Sequence, residues 1–384
     1  MQAHLPITAR LVRLLGALAA MTFVTAGGAA ACAICFSGFV VTPGQQLDAA
    51  DQAVLALPAI DGKQFRVVGA VKGGAIVDQT VVEPVSRVDA AALRSGEPLL
   101  LLRNELAQRW TSLGTIGAGH AGWLRQLAAA GNAGRGRPKA IWPQTMQAPP
   151  SEPTEVQWRE RLALVLPYLE SPEPLAAEIA YGEVSRAPYS AMRSLKARLD
   201  ATTLARWIDD AKRTARRSTY TLLLGIAGGP GDAARLEQRL DAARQSHDAT
   251  NVAAMLAADL ELRGPSRVGW IEKMYFADRD RTLPEIEAAL LALSVHGGAN
   301  GAIPRERVVG SYRRFMQERK PMAGFVAQDL ADWEAWDATG DYVALLKSDA
   351  LKDPASHFAV VSYLHRSPRT EAKAALRVLV DQPR

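Results

Sequence analysis

"GNAGRGRPKAIWPQTMQAPPSEPTE", residues 131–155, is the stretch whose reading decides the fold. Gly and Pro crowd it, and neither a helical nor a strand period runs through it, so it reads as a linker. The chain before it is strand-like and the chain after it is helical. A multidomain α+β protein is therefore expected: a segment 1–31 removed on export, a small β domain over 32–130, the linker over 131–155 and a helical domain over 156–384. A length of 384 residues, too great for one compact core, agrees with that division.

Upstream of the linker, "QAVLALPAI" (52–60), "QFRVVGAVKG" (64–73), "AIVDQTVVEPV" (75–85) and "GEPLLLLRNE" (96–105) are apolar or β-branched runs bounded by Gly, Asp or Pro. "KGGAI" supplies a turn. About five short strands suggest a small closed or half-closed barrel of the OB or SH3 kind. The helix "HAGWLRQLAAAG" (120–131) would close it.

Downstream, Leu, Ala and Val recur at helical spacing in "VQWRERLALVLPYL", "AARLEQRLDAA", "TNVAAMLAADLEL", "PEIEAALLALSV" and "ERVVGSYRRFM". Gly ends a helix and Pro opens the next in "LLLGIAGGPGD" (222–232), "ADLELRGPSR" (258–267) and "LALSVHGGANGAIPRE" (291–306). The glycines are expected in the left-handed conformation and the prolines in the first turn. These marks fall about 35 residues apart, the size of one helix pair. Stacked pairs make an α-solenoid of the HEAT or tetratricopeptide type; the alternative is an irregular all-α domain.

The first residues look like an export signal. Arg10 and Arg13 precede the uncharged run "LLGALAAMTFVTAGGAAA", and Ala29–Ala31 place small residues before a cut at Cys32. A retained membrane anchor is the alternative, because no charge stands between Arg13 and Asp48. The periplasm or cell envelope is the expected location, with membrane contact only through this segment or a lipid on Cys32. Removing residues 1–31 takes two of the 45 basic residues and none of the 40 acidic ones. The remaining surplus is small, and no nucleic-acid partner is implied.

Both cysteines lie in "CAIC", Cys32 and Cys35. Phe36 stands where a c-type haem site needs His. No strand precedes the pair, which argues against thioredoxin-like exchange. Two readings remain: a small disulfide, or a soft-metal site for an ion such as Cu(I). No other cofactor is implied. Gly117, Gly119 and Gly122 spell G-x-G-x-x-G, but no acid stands about 20 residues on to hold a ribose. The segment reads instead as a loop capping the helix at 120–131. His296 sits at a helix C-terminus, where the dipole favours an imidazolium. His357 and His365, eight apart, would share a helix face, but two ligands make a poor metal site. Arg213, Arg216 and Arg217, with Arg313 and Arg314, form basic clusters. They read as the solvated face of a helix pair, or as a patch that docks an acidic partner. Trp333 and Trp336 are expected to pack between repeats.

"RAPYSAMRSLKARLD", "RRSTYTLLLGIAGG", "ALSVHGGANGAIPRERV", "DLADWEAWD" and "AVVSYLHRSP" cover most of 180–370. With the early C-x-x-C and "AADQAVLA", they make the chain resemble an uncharacterised group of exported bacterial proteins. That group has an N-terminal C-x-x-C, a small β domain and a HEAT-like helical region. Its members often carry Pro-Phe between the cysteines, where Ala33-Ile34 stand here, so no shared thiol chemistry is carried over. The resemblance implies export and architecture, and no activity. The sequence thus points to an exported, non-enzymatic binding or scaffold protein whose partner is another envelope protein. The rival function is periplasmic thiol-redox or copper handling through Cys32 and Cys35.

Overall fold

The computed structural model describes residues 34–35, 41–59, 64–81, 85–87, 90–104, 109–132, 153–298, 301–348, 350–351 and 353–381. The segment 1–31 expected to be removed on export, Cys32 and the middle of the expected linker lie outside these residues. The fold is α+β: a small curled sheet of six strands, followed by helical repeats.

The chain enters through α1 (Pro43–Ala49), started by a Thr42–Gln45 capping box. Strands β1 (Gln52–Pro58), β2 (Phe65–Lys72), β3 (Thr80–Val81) and β4 (Val85–Ser86) follow. After α2 (Ala90–Ser95) come β5 (Leu99–Arg103) and β6 (Trp110–Thr115). The sheet order is β3-β2-β1-β5-β6-β4, antiparallel except for β4 against β6. Both faces are covered. Ala53, Leu55, Leu100 and Leu102 face the main core, while Val54, Ala56, Leu99 and Leu101 face a second, smaller one with Phe65, Val67 and Trp110. Two-sided burial explains why these strands read as continuous apolar runs.

The structure differs from expectation at two strands. Among the described residues of the run 75–85, only β3 and the start of β4 are strand, and Asp78 at φ +70° turns the chain just before β3. Conversely, the polar-looking segment before Gly117 forms β6, whose Trp110 and Ser112 are buried.

The helices are α3 (Ala121–Asn132), α4 (Glu155–Val165), α5 (Pro174–Arg186), α6 (Tyr189–Met192), α7 (Ala201–Asp209) and α8 (Arg217–Ala227). Next come α9 (Pro230–Ser246), α10 (Val252–Arg263), α11 (Val268–Ile271), α12 (Leu283–Gly297), α13 (Arg305–Glu318) and α14 (Ala327–Asp332). The last are α15 (Thr339–Lys347), α16 (Pro354–Arg366) and α17 (Thr370–Asp381). Both ends of the expected linker are helical: Gly131 and Asn132 finish α3, and Thr154 caps α4. α8, α10 and α12 pack side by side, with α7, α9 and α13 backing them.

The Gly/Pro marks act differently from the expected pattern. Pro230 does open α9, Pro265 opens the short turn 265–267 before α11, and Pro304 is the N-cap of α13. However, Gly228 and Gly298 are extended, and the left-handed positions are His247 (φ +54°) and Asn251 (φ +62°). Of the described glycines in these marks, Gly264 alone takes a positive φ, +74°.

The sheet and the first helices share one hydrophobic core, running from Leu47 to Ala372. A buried charge cluster lies inside it. Arg161 of α4 bonds Asp48 of α1 through Nη1 (3.1 Å) and Nη2 (2.9 Å), and Glu183 of α5 through Nε (2.7 Å). Nη1 also reaches the Leu127 carbonyl of α3. Burial works against the guanidinium's charge, and the Glu183 and Asp48 carboxylates more than offset it. Space for this is made by absence of side chain: a Cβ on Gly131 would stand 2.1 Å from the Asp48 carboxylate.

Asp48→Ala is expected to destabilise by about 3–5 kcal/mol, because it leaves a buried guanidinium half paired. Urea unfolding of the full chain checks this, and a loss below about 1 kcal/mol would refute it. Gly225→Ala tests the packing of α8 on α10. Helix propensity alone predicts a gain near 1 kcal/mol. A Cβ there would lie 2.5 Å from the Ala258 Cα, so a loss of about 1–3 kcal/mol is expected instead.

Candidate functional site

The basic clusters are tied into the fold. Arg213 and Arg216 both hold Glu170, and the Tyr220 hydroxyl donates to the same carboxylate. Burial would raise the Glu170 carboxyl, yet these bonds outweigh it and hold it below its ordinary value. Arg217 donates to the Ile208 carbonyl at 3.0 Å. Arg313 pairs with Asp341 and Arg314 with Glu272. The same habit runs along the array: Arg239–Asp209, Arg307–Glu272, Arg366–Asp332 and Arg369–Asp337. Apart from Arg217 and Ile208, which are nine apart, partners stand 28 to 46 residues apart, about one helix pair. The arginines' first role is thus to stitch neighbouring pairs.

The two indoles pack where the sequence places them. Trp333 stacks on Tyr312 at 5.6 Å, and Trp336 lies 5.3 Å from Tyr363. Cys35 is half-buried against the main core, beside Ile34. The pairing of Cys32 with Cys35 lies outside the described residues. Among the described residues, no three acids, histidines or cysteines gather as a metal-binding group, and no helix is long and apolar enough to cross a membrane.

The G-x-G-x-x-G loop holds an anion of the chain's own. Gly117 N–H donates to Glu173 Oε2 at 2.6 Å, and His120 Nε2 meets Glu173 Oε1 at 2.8 Å. Trp123 Nε1 lies 2.6 Å from His120 Nδ1. An indole can only donate, so Nδ1 carries the lone pair and Nε2 the proton. Trp123 then stacks on Tyr168 at 4.6 Å. Both ring nitrogens of His120 are occupied in joining α3 to the loop before α5.

Two further histidines differ in kind. His296 is fully buried, and its Nε2–H donates to the Ala257 carbonyl at 2.8 Å. Burial pushes its imidazole below the ordinary value, against the opposing Ala257 bond and Glu261 charge. The imidazolium expected from the helix dipole is therefore corrected to a neutral ring: desolvation inside the core exceeds what a helix end supplies. Its Nδ1 has no hydrogen-bond partner and faces Glu261 Oε2 at 3.9 Å. His247, by contrast, reaches the surface. Its Nδ1 lies 3.1 Å from Glu285 Oε2, a carboxylate also bonded by Thr282 N–H, Thr282 Oγ1 and Arg281. Burial would raise the Glu285 carboxyl, but those donors keep it below its ordinary value. Nearby, the π-helical turn Glu272–Ala277 buries Tyr275, whose phenol desolvation and the Glu285 charge push up to about 12.

One shallow cleft of about 240 Å³ opens beside the smaller core of the sheet. Gln52, Val67, Gln79, Thr80, Arg103 and Trp110 line it. Sequence reasoning missed this cleft because β6 was not recognised. It missed the His247–Glu285 pair because the partners stand 38 residues apart.

His296 sets a pH dependence. The native state holds it below its ordinary value of 6.5, so the unfolded chain binds more protons as pH falls past that value. Its contribution is complete above about pH 6.5 and is lost on acidification, at up to about 1.4 kcal/mol per pH unit. His296→Gln, which keeps an N–H for Ala257, is expected to flatten the decline in stability between about pH 7.5 and 5.5. Equal slopes for both proteins would refute this.

Compared with family models, with curated proteins and with solved structures, the chain matches none, so its function has to be read from its own residues.

Proposed function

We propose that this chain is an exported binding or scaffold protein that presents a helical-repeat surface to another envelope protein. In this reading the repeats form a HEAT-like solenoid, and the curled sheet is an OB- or SH3-like module at its start. Stacked pairs that contact only their neighbours generate extended surfaces suited to a protein partner. The observation that carries the reading is at the far end of the array. Phe358 on α16 is 74% exposed, and Phe325 is 37% exposed on the turn 320–326 that packs against α16. The other phenylalanines with a described environment, Phe65, Phe276 and Phe315, are buried. Both rings stand on elements that pack against each other, and the reading takes them as one apolar face, the kind of surface that marks interaction sites.

The test is cross-linking at native abundance, comparing the full chain with a Phe325→Glu/Phe358→Glu variant. The variant should fold, since exposed substitutions usually change stability by less than about 0.5 kcal/mol. It should lose a partner that the unmodified chain captures reproducibly. A partner retained by the variant would remove this face, and stoichiometric copper on purified protein would favour the metal-handling alternative at Cys32 and Cys35.

A further inference from the structure

His247 is held unlike His120 and His296, and the difference is chemical. Glu285 is 1% exposed, its carboxyl is held ionised, and it can only accept hydrogen bonds. His247 Nδ1 must therefore carry the proton and donate it to Glu285. In the neutral ring the lone pair then resides on Nε2, which makes no hydrogen bond among the described residues. The side chain is 45% exposed, so Nε2 can be reached from solvent. A buried carboxylate that fixes the tautomer and faces the developing imidazolium is the arrangement that makes an imidazole an effective base or nucleophile. The backbone adds a second mark. His247 sits at φ +54°, ψ 30° as the C-cap of α9, a conformation that non-glycine residues adopt at a cost. Its N–H still closes α9 on the Ala243 carbonyl.

We propose that His247 is a nucleophilic acyl-transfer site for small activated acyl compounds such as esters. The Nε2 lone pair forms a bond to the acyl carbon. The bond from that carbon to the leaving alkoxide or phenolate breaks, and the leaving group departs with the electron pair. The resulting N-acyl-imidazolium keeps its Nδ1–H on Glu285. Water then adds to the acyl carbon and passes one of its protons to bulk solvent, the N–C bond breaks with its electron pair returning to Nε2, and the carboxylic acid leaves with neutral imidazole restored. His247 is the catalytic residue and Glu285 the positioning residue.

The probe is p-nitrophenyl acetate, added to the full chain. Acetylation mapped by mass spectrometry should appear on His247 roughly tenfold faster than on His357 or His365, a factor below the usual contribution of a positioned base because the site is open to water. Those two are exposed on α16 and have no carboxylate partner among the described residues, so access alone would favour them. Phenolate release should exceed one equivalent and fall to the level of the remaining histidines in His247→Asn. Asn tolerates the left-handed backbone, and its amide can donate to Glu285. Glu285→Gln keeps a capping side chain and removes only the charge, and should slow acetylation of His247 to the rate of His357. The proposal fails if unmodified His247 reacts no faster than His357 and His365, a comparison that needs no variant. It fails equally if His247→Asn releases phenolate at the unmodified rate.

Discussion

Arg161 is the charge around which the first half of the molecule is assembled. Its guanidinium is fully buried, and its partners come from α1, α3 and α5. None of these elements can shift without leaving a charge unpaired in the core. A buried ion pair need not raise stability over an apolar replacement, but breaking one is costly. What the cluster supplies is therefore geometry: it fixes how the N-terminal helix sits against the helical repeats. Lys72 reinforces this from the sheet, donating to the Leu47 and Asp48 carbonyls at the end of α1.

Beyond α5 the governing constraint changes. Each helix pair buries its apolar stripe against the next, and arginines on one pair reach acids or carbonyls on a neighbour. Exposed pairs of this kind contribute between about 0 and 1 kcal/mol each, so the apolar contacts supply the stability and the ion pairs refine register. Close approach matters as much: α8 and α10 touch backbone to side chain at Gly225 and Ala258. The basic clusters that a sequence displays as conspicuous charge are, in space, the outer lacing of this array. Phe325 and Phe358 are large apolar side chains that this array leaves exposed.

The three partnered histidines show how much chemistry depends on hydrogen-bond accounting rather than residue identity. His120 spends both nitrogens on structure. His296 spends one and hides the other. His247 spends one on a buried carboxylate and keeps the other in water. The same side chain is thus a joint, a buried pH-linked group and a proposed nucleophile.

Much of the layout was legible in the sequence by itself. Period-two and continuous apolar runs marked β1, β2 and β5, helical periodicity marked α4, α9, α10, α12 and α13, and Pro marked the starts of α9 and α13. Local backbone preference and side-chain spacing dictate such features, and both are written along the chain. The tertiary structure alone decided the rest. β6 forms because β5 pairs with it, although its own residues look polar. His296 is neutral because a core closes around it, which a helix-end argument cannot foresee. Asp48 finds Arg161 across 113 residues and His247 finds Glu285 across 38. Pairing at such distances depends on which faces the fold brings together, and no local period records it.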